Sequence, residues 1–171
     1  MIFEIVEAND QLLGKIASLI NESYWYQQQQ FFIDTPFSRE RINEKTLSQI
    51  FQNPEQKIIV LRDDRILLGV IAFALPEGLE AKILLFAINQ QYQGRRIGQI
   101  LLDFAEKKVV ECGKQCMKLE VLVFAKKLIA YYETLGYTLT GNSASFFHES
   151  CIKAEYQTPN KIYLLEMSKN F

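Results

Sequence analysis

From Ala81 to Ile88 the chain is almost unbroken apolar sequence, with Lys82 its single charge. A run of that kind, bounded by turn residues, reads as a strand buried on both faces. Such a strand cannot lie at a surface, so other elements have to cover both sides of the sheet that holds it. With 171 residues the chain has room for one such arrangement and not for two ordinary domains. The expectation is a single domain over 1–171.

Composition narrows the class of partner. Apolar residues at 49% and charged residues at 23% are globular values and exclude native disorder. Twenty acidic against nineteen basic side chains give a net charge of -1, without the basic excess of a nucleic-acid or acidic-membrane binder. No apolar run reaches the roughly 18 residues of a membrane span. The start, Met1 to Glu7, lacks the basic region and apolar core of a signal peptide. The expected location is cytoplasmic, with no nucleic-acid or membrane partner. Cys112, Cys116 and Cys151 are odd in number, and His148 is the only histidine. That set has no zinc spacing, so no metal is expected and the thiols read as reduced.

Periodicity gives the element order. Residues 2–7 read as a strand. Asn9 or Asp10 can cap a helix carrying Leu12, Leu13, Ile16, Ala17, Leu19 and Ile20. The glutamine tract Gln27 to Gln30, flanked by Tyr24-Trp25-Tyr26 and Phe31-Phe32, reads as a covering loop or helix end, and Thr35-Pro36 as a break. Leu47, Ile50 and Phe51 mark a second helix. Two strands around Asp63-Asp64 form a hairpin, and the 81–88 strand follows. Gly94 to Gly113 is the clearest helix, Met117 to Phe124 a strand, and Ala125 to Leu135 a helix. Tyr137 to Thr140 and Lys161 to Met167 are closing strands. This is a mixed α/β order, antiparallel in its first half, with βα units in its second.

Two segments carry chemistry. In Gln93-Gly94-Arg95-Arg96-Ile97-Gly98 a strand gives way to a loop and then to a helix whose first turn holds two arginines. Cations are poorly placed at a helix N-terminus unless an anion lies there. Free N–H groups, two glycines and two guanidinium groups would suit a pyrophosphate. No Gly-Lys-Ser/Thr or Gly-x-Gly-x-x-Gly accompanies them. The other segment runs from Leu119-Glu120-Val121-Leu122 through Tyr131, Tyr132 and Glu133 to Leu135-Gly136-Tyr137. Tyr132 falls on the apolar stripe of its helix and could protonate a leaving thiolate. Tyr131 is a helical step of about 100° away and is expected to have no role.

Together these segments resemble the GNAT N-acetyltransferase superfamily. Gln93 to Gly98 matches its Gln/Arg-x-x-Gly-x-Gly/Ala loop, with Arg96 at the usual middle glycine, and Tyr132 with Leu135-Gly136-Tyr137 matches its later signature, with Ala125 at the usual Asn. A less characterised branch is also similar: Arg39 or Arg41, Leu128 to Glu133, Thr140-Gly141 to Phe146 or Phe147, and Leu164 to Lys169 follow its pattern. The resemblance implies a GNAT fold, a mixed and mostly antiparallel sheet splayed between the fourth and fifth strands with helices on both faces. It also implies acetyl-CoA as cosubstrate and direct attack by a primary amine, without an acyl-enzyme. The cofactor-binding residues would be Phe86, Ala87, Ile88, Gln93, Gly94, Arg95, Arg96, Ile97, Gly98 and Tyr132. Tyr132 would be the acid, and the Ile88 N–H would polarise the thioester carbonyl. Glu120 is the first candidate for the base, with Glu80 and a water chain as alternatives, and His148 is a candidate for the acceptor site. The acceptor reads as a small molecule rather than a protein, and the chain as a monomer or homodimer. A CoA-binding sensor without turnover, and an unrelated phosphate-binding α/β protein, remain open on the sequence.

Overall fold

A computed structural model describes residues 3–30, 37–145 and 162–171. Phe31, Phe32, Thr35, Pro36, Phe146, Phe147, His148, Cys151 and Lys161, which the sequence reading singled out, lie outside them. The chain opens with β1 (Phe3–Glu7), a short 3-10 turn (Asp10–Leu12) and α1 (Leu13–Gln29). Most of the glutamine tract is thus the last turn of a helix. Asn9 precedes the 3-10 turn without a capping side-chain bond. In α2 (Glu44–Gln52) the Asn43 carboxamide oxygen accepts from the Thr46 N–H, the bond an N-cap residue supplies.

β2 (Gln56–Asp63), β3 (Ile66–Ala74) and β4 (Glu80–Ile88) form an antiparallel meander beside β1. Then come α3 (Ile97–Glu111), β5 (Cys116–Leu122), α4 (Lys126–Thr134), β6 (Thr138–Ser145) and β7 (Tyr163–Asn170). The seven strands make one sheet in the order β1-β2-β3-β4-β5-β7-β6, with β4 and β5 parallel. This is the mixed fold expected from the sequence. Leu13, Ile16 and Ile20 of α1 and Leu47 of α2 pack with Ile58, Val60 and Val70 on one face of the sheet. Ile97, Leu101, Ala105 and Val109 of α3 pack with Ile59, Leu61 and Ile71 on the other, where Tyr132 of α4 also lies.

Two expectations need correction. The strand buried on both faces is β3, where Leu67 to Phe73 are all buried. β4 alternates instead, with Ala81, Ile83, Leu85 and Ala87 buried and Leu84, Phe86 and Ile88 half-buried. The cause is an open space beside β4, described below. The α3 helix also begins at Ile97, so Arg95 and Arg96 precede its first turn rather than occupy it. Arg96 is left-handed, at φ 62°, and a helix cannot continue backwards through such a residue.

Candidate active site

Pairing between β4 and β5 covers only Glu80 with Cys116, Ala81 with Met117 and Lys82 with Lys118. Both strands continue past that point but diverge. A bulge contributes: Ala72 pairs with Leu85 and Phe73 with Ile83, which leaves Leu84 as an extra residue in β4. The gap is a cleft of ≈ 880 Å³ between the β4–α3 and β5–α4 walls.

The edge of β4 facing this gap keeps unpaired main-chain groups. The Asn89 N–H donates to the Leu68 carbonyl at 2.9 Å. In an antiparallel ladder, inward and outward pairs alternate. Ala87 therefore shares its main-chain bonds with β3, while Phe86 and Ile88 turn theirs to the cleft. One carbonyl there is already engaged, since the Ser23 hydroxyl donates to the Ile88 oxygen at 3.1 Å. The Ala87 methyl itself is buried on the α1 side.

The loop beyond β4 is set by Asn89. Its amide nitrogen donates to the Leu67 carbonyl at 3.3 Å, and its oxygen accepts from the Gln91 N–H at 3.1 Å, folding Gln90–Tyr92 into a 3-10 turn. Gly94 then takes φ 75°, a conformation that favours glycine. Gln93, Gly94, Arg96, Ile97 and Gly98 all line the cleft. Arg95 does not; its guanidinium stacks over the Tyr92 ring at 5.3 Å. Lys126 and Lys127 line the opposite wall, exposed at the start of α4, where Ala125 supplies no capping bond.

Tyr132 is 5% exposed and lines the cleft. Burial foremost, then the nearby Tyr24 and Tyr131 phenols, push its ionisation well above the ordinary tyrosine range. It stays a neutral O–H donor at any physiological pH, and no described residue accepts its hydrogen bond. Tyr131 differs from its expectation, because it is half-buried and lines the same cleft. A 100° step still leaves a long side chain on a shared wall, and spacing alone did not reveal that.

Glu120 also borders the cleft. Its carboxylate accepts from the Lys82 ammonium at 2.9 Å, and the side chain is 33% exposed. Across the β5–β7 register it faces Glu166. Hydrogen bonds from Asn142 and Thr140 hold the Glu166 carboxyl below the usual carboxylate range. Glu80 pairs with Lys118 at 2.8 Å and does not line the cleft. The far end of the cleft is formed by Tyr24, Gln27 and Gln28 of α1 with Phe37 and Arg41. Asn21 pins that segment: its oxygen accepts from the Arg41 and Ile42 N–H groups at 2.7 and 2.9 Å. Among the described residues no three His, Cys, Asp or Glu side chains gather as metal ligands. No described helix is long and apolar enough to cross a membrane.

The architecture is shared with enzymes that handle coenzyme A. The PaiA N-acetyltransferase of Thermoplasma acidophilum, solved in complex with coenzyme A, matches with a TM-score of 0.76 at 18% identity over 100% of each chain. The ribosomal-protein-S18-alanine N-acetyltransferase of Escherichia coli matches at 0.69 and 16% identity, over 99% of this chain and 94% of that one. The yncA protein of Salmonella typhimurium, solved with its cofactor acetyl-CoA, matches at 0.69 and 14% identity, over 98% and 93%. Among curated protein sequences, none matches this chain. At these identities the structural likeness shows the fold, and it is the family model described as the acetyltransferase (GNAT) domain, matching residues 20–152, that makes the chain a member of the GNAT acetyltransferases.

Proposed function

We propose that the protein transfers the acetyl group of acetyl-CoA to a primary amine of a small molecule by direct attack within a ternary complex. The observation that carries this is the cleft itself. It opens where the β4–β5 ladder stops and leads from the Gln93–Gly98 loop, past the outward main-chain edge of Phe86 and Ile88, to the Tyr132 hydroxyl. Coenzyme A and acetyl-CoA in the PaiA and yncA structures support the same ligand here.

Each part has a physical task. The N–H groups of the loop and the Arg96 guanidinium suit a pyrophosphate. The outward main-chain groups of Phe86 and Ile88 suit the amides of a pantetheine arm laid along β4, as a further strand would lie. The Ile88 N–H is then the donor nearest the thioester carbonyl, where a fixed dipole strengthens as charge develops. Tyr132, kept neutral by burial, has a proton to give to the departing thiolate. Glu120 is the carboxylate on the β5 wall and takes the ammonium proton, directly or through water. Its pairing with Lys82 keeps it in place.

The deciding experiment is release of free thiol from acetyl-CoA in the presence of a panel of amines, with Glu120→Gln alongside wild type. Turnover with at least one amine, reduced in Glu120→Gln, is the expected result. Coenzyme A binding without turnover on any amine would replace the enzyme by a CoA-binding sensor. Full activity of Glu120→Gln would move the base to water.

A further inference from the structure

We infer that Tyr131 is a second functional phenol of the cleft, one whose hydroxyl donates to a phosphate oxygen of the cosubstrate and so governs binding, whereas Tyr132 governs turnover. This rests on the cosubstrate reading above and assigns a role to a residue that neither motif includes.

The geometry carries it. Tyr131 projects from α4 on the β5 side of the cleft, yet its hydroxyl reaches the first turn of α3 on the other side. A methyl group built on Gly98 would lie 3.0 Å from the Tyr131 oxygen and 3.5 Å from the Phe86 ring. Gly98 is thus the residue whose missing side chain lets the phenol approach. The hydroxyl arrives next to the loop proposed for the pyrophosphate, with Gly94, Arg96 and Gly98 on the same cavity wall. Among the described residues the hydroxyl has no hydrogen-bond partner; the Thr134 hydroxyl donates to the Tyr131 main-chain carbonyl and not to the phenol.

The hydroxyl opens to the cleft, where water is its acceptor in the free protein, and a ligand oxygen would take that water's place. Burial, and then the nearby Asp103 carboxylate, raise the Tyr131 ionisation above the ordinary tyrosine value. The group therefore approaches the site as a donor, and an anionic oxygen is the acceptor that best rewards a neutral donor. Ala125, where the family has Asn, brings no polar side chain to the cleft, and the Tyr131 hydroxyl joins Lys126 and Lys127 as the polar groups that α4 presents there.

The test compares Tyr131→Phe with wild type for binding of coenzyme A and of pantetheine, which has no phosphate. The expected result is a loss of about tenfold in CoA affinity, the size of one hydrogen bond to a charged group, with pantetheine inhibition unchanged. KM for acetyl-CoA should rise by the same factor and kcat should hold. Gly98→Ala supplies an independent arm, because its methyl collides with the hydroxyl. Its effect on CoA affinity should be smaller in the Tyr131→Phe background than in wild type, since phenylalanine vacates that space. Equal losses for CoA and pantetheine, unchanged CoA affinity, or strictly additive effects of the two substitutions would each overturn the assignment. A wild-type protein that binds neither ligand would instead overturn the cosubstrate reading itself.

Discussion

Tyr132 and Tyr137 stand five positions apart, their ring centroids 5.7 Å from each other, and both are buried, at 5% and 1% exposure. Their hydroxyls live in opposite circumstances. The Tyr137 hydroxyl donates to Glu106 Oε1 at 3.0 Å, and Lys169 donates to Glu106 Oε2 at 2.6 Å, tying α3 to the start of β6 and the end of β7. The Tyr132 hydroxyl meets the cleft. Buried polar groups in a folded protein are nearly always satisfied internally. The closed cluster follows that rule and serves the fold. The open phenol falls outside that rule, because its hydroxyl reaches the cleft and is not sealed from solvent, so a ligand entering there meets a donor with no protein partner.

The contrast breaks most sharply under Tyr132→Phe. The ring's packing is kept and only a hydroxyl without a protein partner is removed, so the melting temperature should hold. kcat should fall by roughly ten- to a thousandfold, the span of a single acid–base group, with little change in affinity for acetyl-CoA. Unchanged turnover on a good acceptor would make Tyr132 a packing residue.

The opposite outcome is expected in the closed cluster. Glu106→Ala leaves the Lys169 ammonium and the Tyr137 hydroxyl facing a buried gap, at a cost of about 3 kcal/mol. For a chain of this size that is a fall of roughly 6–12 °C in melting temperature, with kcat per folded molecule close to wild type. A milder form is Tyr137→Phe, which removes one bond to Glu106 and should cost about 1 kcal/mol. Burial foremost, then the Glu106 carboxylate, hold the Tyr137 phenol well above the ordinary tyrosine range. The unfolded phenol ionises near pH 10, below the folded one, so the stabilisation is complete under that pH and is lost as pH rises beyond it. Melting temperature should accordingly drop above about pH 10, and less steeply in Tyr137→Phe.

The two clusters were not equally legible in the sequence. Tyr132 was visible because it recurs on the apolar stripe of α4 and sits at a fixed distance from Leu135-Gly136-Tyr137. The element order was visible too, since the hairpin, α3 and the βα units each obey their own period. Glu106 was not: it lies beside Ala105 on the buried side of α3, and a carboxylate there reads as solvated until Lys169, 63 residues away, comes into contact. Tyr131 was missed for a similar reason, because its neighbour Gly98 belongs to another element. The apolar run of β4 was misread as doubly buried because sequence cannot show that the β4–β5 ladder stops at Lys82. The hydrophobic Phe86 and Ile88 pack against the core on one side and border the cleft on the other, and apolar composition does not distinguish that from full burial.

Arg96 brings the contrast between fold and ligand down to one residue, and the effect expected is the smallest. Its φ of 62° is a conformation that costs an ordinary residue about 1–2 kcal/mol and glycine almost nothing, which accounts for glycine being usual at this place in the family motif. Arg96 lines the cleft, so a cationic residue has a use there that the backbone opposes. Arg96→Gly should relieve the backbone and give back part of that gain through the freer unfolded chain, for a net rise of about 2 °C in melting temperature. Affinity for coenzyme A should fall. Arg96→Ala separates the two contributions: it loses the same charge but keeps the β-carbon and the strain, so it should match glycine in weakened binding without the rise in stability. Equal melting temperatures for the two variants would locate the cost outside the backbone. Equal affinity of wild type and both variants would mean that Arg96 holds a strained conformation for something other than a phosphate.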